Sequence, residues 1–537
     1  MNSQTKKYRT FGVMIDLSRN AVMTPKRLKE FLLLLSRMGY NMAMLYTEDT
    51  YEIKGEDYFG YMRARYSEEE LRDLDSYALS IGIELIPCIQ TLAHLATTLR
   101  WGKIPAEDAD CMLADDERTY EMIGKMLDVS KRCFTSRRIH IGMDEAGGIG
   151  RGRHLDIHGY EDPMQIIKRH LTRVEKMVTD RGLTPLIWSD MFFRPWNNGH
   201  YEEAMEKCTV PSDVIESVPK NTELVYWAYS NDWQNIYDDM LYNHKQITDK
   251  IWFAGGAWGW IGITPNNSYS VNTMKTAFDA CERYGIRDVF ITMWGNNGAD
   301  GSRFAQLPAL YHIIKYAEGV HDDEEIKRGF KETVGVDYDV FMTLDLPNQV
   351  GSPEIGTHRN NPAHYMLYSD PLNGYLDYTV RDGGSEEYRK YAEILRDSMS
   401  RAGEYAYLFE TEAYLCDALA VKYELGVRLR RAYQSADREE LRRIAQEIPG
   451  CIASLRELLR ADRRQWYHDN KPSGFEVIEL RMGGVIARLE GVMIRIESYL
   501  SGEAESIDEL ECELLPYGKK GESMLAAGPR IYTTNAY

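Results

Sequence analysis

The sequence predicts an α/β protein, a (β/α)8 TIM barrel followed by an all-α C-terminal domain. Between about residues 11 and 319, short apolar runs alternate with amphipathic stretches through eight β–α units, the number that a closed parallel barrel needs. After about residue 320 the short runs stop, and long amphipathic stretches rich in Leu, Arg and Glu follow. We therefore expect two domains, a barrel over 1–320 and a mostly helical domain over 321–537.

The individual elements follow from local signals. The predicted strands are 11–16, 41–46, 83–88, 139–143, 184–188, 223–227, 251–255 and 288–294. Thr24-Pro25 begins the first helix, and Ser67 followed by three glutamates begins the next. Further helices are predicted over 164–181, 271–284, 386–408, 411–435, 438–463 and 474–500. A doubly wound open sheet is the alternative, but no GxGxxG follows the first strand and no GxxxxGK[ST] occurs, which disfavours its nucleotide-binding forms.

Composition excludes several classes of function. Of the 537 residues 44% are hydrophobic, but no run of eighteen or more suggests a membrane span, and the N-terminal segment does not resemble a secretory signal. Eight cysteines without a CxxC pair indicate neither a disulfide framework nor a zinc site. A net charge of −19 argues against nucleic acid and anionic membranes as partners. We expect a cytoplasmic protein.

The fourth predicted strand ends in two adjacent acids, Asp144 and Glu145. In parallel α/β proteins the catalytic groups lie where strands end and loops begin. Neighbouring strand residues point to opposite faces, so the two carboxylates can share a pocket only where the strand is turning into a loop. We expect Gly147 and Gly148 to permit that turn.

Aromatic and polar residues occur at the ends of most other strands. Four consecutive strands finish in or near tryptophan: Trp188, Trp227, Trp258 and Trp294. Barrel cores prefer branched aliphatic residues, so four tryptophans at one rim indicate a pocket that holds a sugar ring by its faces. The polar candidates that would bind its hydroxyls are Arg19, Asp49, His94, Asp190, Asn296 and Asp300.

These motifs resemble glycoside hydrolase family 20, the β-N-acetylhexosaminidases. His140-Ile141-Gly142-Met143-Asp144-Glu145 is similar to the family's strand-four catalytic motif, and Asp16-Leu17-Ser18-Arg19 is similar to its strand-one motif. The resemblance covers roughly residues 10–320. It is to a short type without the small α/β domain that usually precedes the barrel.

The resemblance implies an exo-acting hydrolase that releases a terminal N-acetylglucosamine or N-acetylgalactosamine with retention, without a cofactor. The substrate's own acetamido oxygen would act as nucleophile. Glu145 would be the acid and then the base, Asp144 would orient the acetamido group, and Arg19 would grip hydroxyls. The family's acetamido-binding Tyr has no counterpart near strand seven, where Trp258 and Trp260 stand, so we assign its role to Tyr229.

Several positions depart from the family pattern or admit a structural role. Asn296 stands where the family often has a carboxylate, which Asp300 could replace. Asp49 and Asp190 could bind hydroxyls or hold Arg19 by an ion pair, and His94 could support the acidic pair. We expect Glu48 to be a solvated loop acid and His140 a packed strand residue. No metal is expected at His154, Asp156 and His158, whose neighbours are Gly and Arg.

Two alternatives stay open. One is a retaining barrel glycosidase whose nucleophile is an enzyme carboxylate, Asp190 or Asp300. The other is a non-catalytic sugar-binding or sensing protein. The helical domain could cover the barrel, form a homodimer or bind another partner.

Overall fold

The computed structural model describes residues 7–201, 206–230, 233–352, 354 and 356–526, and it confirms the predicted fold class. Eight parallel strands form a closed barrel in chain order, and β1 pairs with β8. The strands are β1 Thr10–Asp16, β2 Met42–Tyr46, β3 Glu84–Cys88, β4 Arg138–His140, β5 Thr184–Trp188, β6 Glu223–Trp227, β7 Ile251–Gly256 and β8 Asp288–Met293. The carboxyl ends of all eight therefore meet at one rim.

Helices connect the strands, and further helices follow β8. Those between the strands are α1 Pro25–Met38, α2 Glu68–Ser80, α3 Ala96–Leu99, α4 Glu117–Cys133, α5 Arg153–His158, α6 Pro163–Thr179, α7 Ser212–Ser217, α8 Gln234–Ile247 and α9 Asn267–Arg283. Those after β8 are α10 Leu307–Ala317, α11 Asp323–Val334, α12 Tyr338–Met342, α13 Pro362–Tyr368, α14 Gly384–Arg401, α15 Ala406–Lys422, α16 Leu425–Gln434, α17 Arg438–Asp469, α18 Phe475–Ser501 and α19 Asp508–Glu511.

The predicted helix starts are confirmed. The Thr24 side chain accepts a hydrogen bond from the Arg27 N–H, and Pro25 follows at the first helical position. Ser67 and Glu70 form a reciprocal capping box at the start of α2. These caps satisfy amide groups that the first helical turn leaves without partners.

Several predicted boundaries are wrong. The helix predicted over 386–408 ends at Arg401, and the one predicted over 438–463 continues to Asp469. Strand β4 ends at His140 rather than at residue 143, because Gly142 and Met143 both adopt a φ of 71°, which a strand cannot accommodate. The segment predicted as one helix over 411–435 belongs to two helices, α15 and α16, since the chain is not helical at Tyr423 and Glu424. Neither glycine nor proline stands at Tyr423 or Glu424, so no local signal in the sequence marks this break.

The chain forms two compact units. The first comprises Met1–Ala257, Asn272–Met293 and Ile313–Val320, and the second Trp258–Val271, Trp294–His312 and His321–Tyr537. The second unit is mostly helical, and its long helices bury leucines such as Leu395, Leu419, Leu455 and Leu489. The domain boundary at residue 320 stays a prediction. Within the described parts of the chain, no helix is long and apolar enough to cross a bilayer.

Candidate active site

The loop after β4 positions the acidic pair. Gly142, Met143 and Glu145 have φ values of 71°, 71° and 53°. The turn is thus made before and within the pair, and our assignment of it to Gly147 and Gly148 is wrong. A Cβ on Gly142 would clash with the Gln90 side chain, so this position needs glycine for both its φ and its space.

Asp144 is buried and held from two sides. Gln90 Nε2 donates a hydrogen bond to its Oδ1 at 2.8 Å, and His94 Nε2 lies 3.2 Å from its Oδ2. Burial alone would raise the pKa of Asp144, but the charge and hydrogen bond of His94 outweigh burial and hold that pKa at about 2. Asp144 is therefore ionised at neutral pH.

His94 is the cationic partner of this pair. Burial lowers its pKa, but the charge of Asp144 and the hydrogen bond to it together outweigh burial and raise the His94 pKa to about 9. The His94 backbone N–H donates to Asp110 Oδ2 at 3.1 Å, which fixes a residue with a φ of 58°. Its Nε2 also lies 3.7 Å from Glu145 Oε2. The structure thus brings His94 to both members of the acidic pair.

Arg19 lies in a buried network at the ends of β1 and β2. Its guanidinium is 3.2 Å from Asp16 Oδ2 and 3.4 Å from Glu48 Oε1, and it stacks over the Tyr46 ring at 4.9 Å. Our prediction that Glu48 is a solvated acid is wrong, because its side chain is buried and accepts a hydrogen bond from the Tyr46 hydroxyl. Gln90 Nε2, which binds Asp144, also contacts the Tyr46 hydroxyl at 2.9 Å.

Asp49 forms its ion pair with Arg63 and not with Arg19, one of the two roles that we left open for it. It contacts Arg63 at 3.4 Å and accepts a hydrogen bond from Thr97 Oγ1 at 2.8 Å. Arg63 also donates to the Ser18 carbonyl oxygen. Asp49 therefore ties the loops after β2 and β3 together, and Arg19 is held by Asp16 and Glu48 instead.

Asp190 and Arg194 hold Glu145 from the side of β5. Asp190 Oδ2 accepts the Glu145 backbone N–H at 3.0 Å and lies 3.1 Å from Arg194 Nε. Arg194 Nη2 is in turn 3.4 Å from Glu145 Oε1, whose side chain is 50% exposed. Burial and the nearby charge of Asp144 raise the pKa of Asp190 to about 7. No motif in the sequence pointed to Arg194, which lies in the turn four residues after Asp190.

The aromatic residues of β5 and β6 have different settings. Trp188 is 1% exposed and packs on His140, with ring centroids 4.4 Å apart. His140 itself is a packed strand residue, as expected, and burial lowers its pKa to about 3. Trp227 is half-buried, and Tyr229 stacks on it at 5.3 Å and 22°. Trp227 and Tyr229 thus form one aromatic surface after β6.

The remaining predicted residues, which follow β7 and β8 in the chain, belong to the second unit. There Trp258 stacks on Trp260 at 4.3 Å, and Arg303 donates to the Trp294 carbonyl oxygen at 2.9 Å. Asp300 is buried and pairs with Arg481 at 3.3 Å, whereas Asn296 is exposed. Their roles in binding sugar stay predictions.

The His154 region has an ordinary structural explanation. His154 Nε2 lies 3.2 Å from Glu161 Oε2, and its ring packs against the tilted ring of His158, with centroids 4.7 Å apart. Within the described ranges, no three His, Cys, Asp or Glu side chains are grouped so that they could hold a metal ion.

Comparison with known proteins finds two models of one family. Residues 7–228 match the catalytic domain of glycosyl hydrolase family 20, and residues 339–527 match the glycoside hydrolase 20C C-terminal domain. Bovine hexosaminidase D is 22% identical over 267 residues, which are 47% of this chain and 70% of that protein. Human hexosaminidase D is 25% identical over 38% of this chain, and the match spans only 42% of the human protein.

Solved structures give a weaker likeness. The family 20 exo-β-N-acetylglucosaminidase of Vibrio harveyi, in complex with N-acetylglucosamine, superposes with a TM-score of 0.47 at 18% identity. That match covers 63% of this chain and 58% of the other.

Proposed function

Since the chain belongs to glycoside hydrolase family 20, we propose that it is an exo-acting β-N-acetylhexosaminidase that works by substrate-assisted catalysis with retention. Its substrate would be a terminal, non-reducing N-acetylglucosamine or N-acetylgalactosamine. The observation that carries the proposal is the ionised, buried Asp144 directly before a half-exposed Glu145.

Asp144 suits the task of orienting the acetamido group. An anionic carboxylate accepts a hydrogen bond from the acetamido N–H and stabilises the positive charge that develops as the carbonyl oxygen attacks the anomeric carbon. Gln90 and His94 already fix both oxygens of this carboxylate. It therefore needs little reorganisation during the reaction.

Glu145 suits the task of the acid and base. Its carboxyl is more exposed than that of Asp144, so it can reach the glycosidic oxygen and later a water molecule. Arg194 and the Asp190 carboxylate hold its side chain and its backbone N–H. Protonation of the leaving oxygen would come first, and deprotonation of the attacking water would follow.

Two further groups complete the proposal. Tyr229, stacked on Trp227, would donate a hydrogen bond to the acetamido oxygen. Arg19 would donate to sugar hydroxyls, because Asp16, Glu48 and Tyr46 hold its guanidinium in place.

An enzyme nucleophile at Asp190 has less support. That carboxylate is fully buried and already accepts a backbone N–H and an arginine contact, and its pKa of about 7 leaves it partly protonated at neutral pH. A cytoplasmic location, a homodimer through the helices and the absence of nucleic-acid or membrane partners also remain proposals.

The test varies the nucleophilicity of the substrate's own acetamido oxygen. A series of aryl N-acyl-β-glucosaminides with zero to three fluorines on the acetyl group keeps one leaving group and weakens the carbonyl oxygen stepwise. We expect kcat to fall with each fluorine, and the β-anomer to appear first by NMR. A kcat that does not respond to fluorine, or an α-anomer formed first, would reject the proposal.

A further inference from the structure

A cavity of about 710 Å³ opens on one side of the acidic pair. Glu145 lines it, whereas Asp144, His94 and Arg19 do not. Arg151, Tyr160, Asp162, Arg194 and Asn198 also line the cavity. In the proposed reaction Glu145 protonates the oxygen between the terminal sugar and its leaving group. A cavity that is lined by Glu145, but not by the residues that would bind the terminal sugar, is therefore suited to the leaving group.

Arg151 differs from the other arginine in this cavity in its contacts. Among the residues that the structure describes, its guanidinium makes no ion pair or hydrogen bond, whereas Arg194 is engaged by Asp190 and Glu145. Asp162 is also charged, but its Oδ1 already accepts the Met164 N–H at the start of α6. Arg151 is thus a cation with its hydrogen-bonding capacity unused.

The loop that carries Arg151 is held in place. Glu107, which is 5% exposed, accepts the N–H groups of Gly152 and His154 at 2.8 and 2.7 Å. Its carbonyl oxygen accepts the Arg153 N–H at 3.0 Å. A side chain at Gly148 would clash with Asp108, which closes the loop from the other end. Ordering this loop on binding therefore costs little.

Tyr160 also lines the cavity, and the residue is 81% exposed. An exposed aromatic ring in the cavity that Glu145 also lines is suited to stacking on a sugar ring. A guanidinium and an aromatic ring on the same cavity together favour a sugar that also carries a negative charge.

We propose that this cavity binds the leaving group of the substrate, and that the leaving group is an acidic sugar whose carboxylate or sulfate is bound by Arg151. This inference rests on the proposed function. It narrows the substrate class to terminal N-acetylhexosamine attached to an anionic sugar. The chain's net charge of −19 gives no long-range attraction for such a substrate, so the preference arises at short range.

The experiment compares three disaccharides with one linkage: N-acetyl-β-glucosamine on glucuronic acid, on glucose 6-sulfate and on glucose. We expect kcat/KM to be on the order of tenfold higher for an acidic disaccharide than for the neutral one, as one charge-assisted bond allows. Which acidic disaccharide is preferred distinguishes a carboxylate from a sulfate ligand. Arg151→Gln should reduce that ratio to about one, and Arg151→Lys should keep part of it.

A control variant and a control substrate distinguish failure of this inference from failure of the proposed function. Arg37→Gln removes an exposed arginine at the end of α1, on the opposite face of the barrel, and should keep the wild-type ratio. No preference for either acidic disaccharide, with aryl N-acetylglucosaminide still cleaved, would overturn the inference and leave the proposed function standing. A preference that survives Arg151→Gln would overturn it as well. Failure to cleave the aryl substrate would instead reject the proposed function.

Discussion

The ion pair between His94 and Asp144 predicts how the stability of the barrel depends on pH. His94→Gln removes the cation and keeps a polar side chain. The rise of the His94 pKa from 6.5 to about 9 corresponds to about 3 kcal/mol, and the fall of the Asp144 pKa from 3.8 to about 2 corresponds to about 2 kcal/mol. Both describe one interaction. We take about 2 kcal/mol, since solvent reaches 20% of the His94 side chain and screens its charge.

The sign of the effect follows from which protonation state the fold favours. The folded pKa of His94 lies above its unfolded value, so its contribution is fully present below pH 6.5 and disappears as pH rises through 9. At pH 6 the free energy of unfolding of the variant should therefore be about 2 kcal/mol lower than that of the wild type. At pH 10 the two should be nearly equal.

Urea unfolding followed by tryptophan fluorescence at pH 6 and pH 10 measures this difference. The matched control is His358→Gln, which removes an exposed histidine of the second unit and should change neither value. A stability difference between His94→Gln and wild type that is the same at both pH values would refute the reasoning.

Three further predictions concern the surroundings of Glu145 and the acetamido site. Arg194→Gln should lower kcat about tenfold, most for poor leaving groups, because Glu145 loses a positioning contact; a loss independent of leaving group would contradict this. The folded pKa of Asp190 is raised to about 7, so the wild type should lose stability as pH rises from about 4 through 7. Asp190→Asn should remove this loss, and denaturant midpoints of both proteins at pH 5 and pH 8 measure the difference. Tyr229→Phe should lower kcat by roughly 10- to 100-fold with little change in KM, and unchanged kinetics would move the acetamido contact elsewhere.

The strand positions could be predicted from the sequence because apolar runs and turn residues are local signals. β5 and β6 were predicted to the residue, and most others to within one or two. The end of β4 could not be, since the backbone leaves the strand at Gly142 through conformations that a run of apolar residues does not reveal.

The candidate site was predictable in its residue types and less so in its pairings. Asp144 and Glu145 could be found because two adjacent acids stand between an apolar run and a glycine-rich loop. That Glu48 rather than Asp49 holds Arg19, and that Gln90 bridges Tyr46 and Asp144, depends on how the loops after β1, β2, β3 and β4 meet. Such contacts between loops leave no periodic pattern in the sequence from which they could be predicted.

The central claim is that the acidic pair works together with the substrate's acetamido group. Hydrolysis of an aryl N-acetyl-β-glucosaminide is compared with that of the matching aryl β-glucoside, for the wild type, Asp144→Asn and Glu145→Gln. The account predicts cleavage of the acetamido substrate alone, with kcat/KM lowered by orders of magnitude in both variants. Equal cleavage of both sugars by the wild type, or full activity in Asp144→Asn, would contradict it.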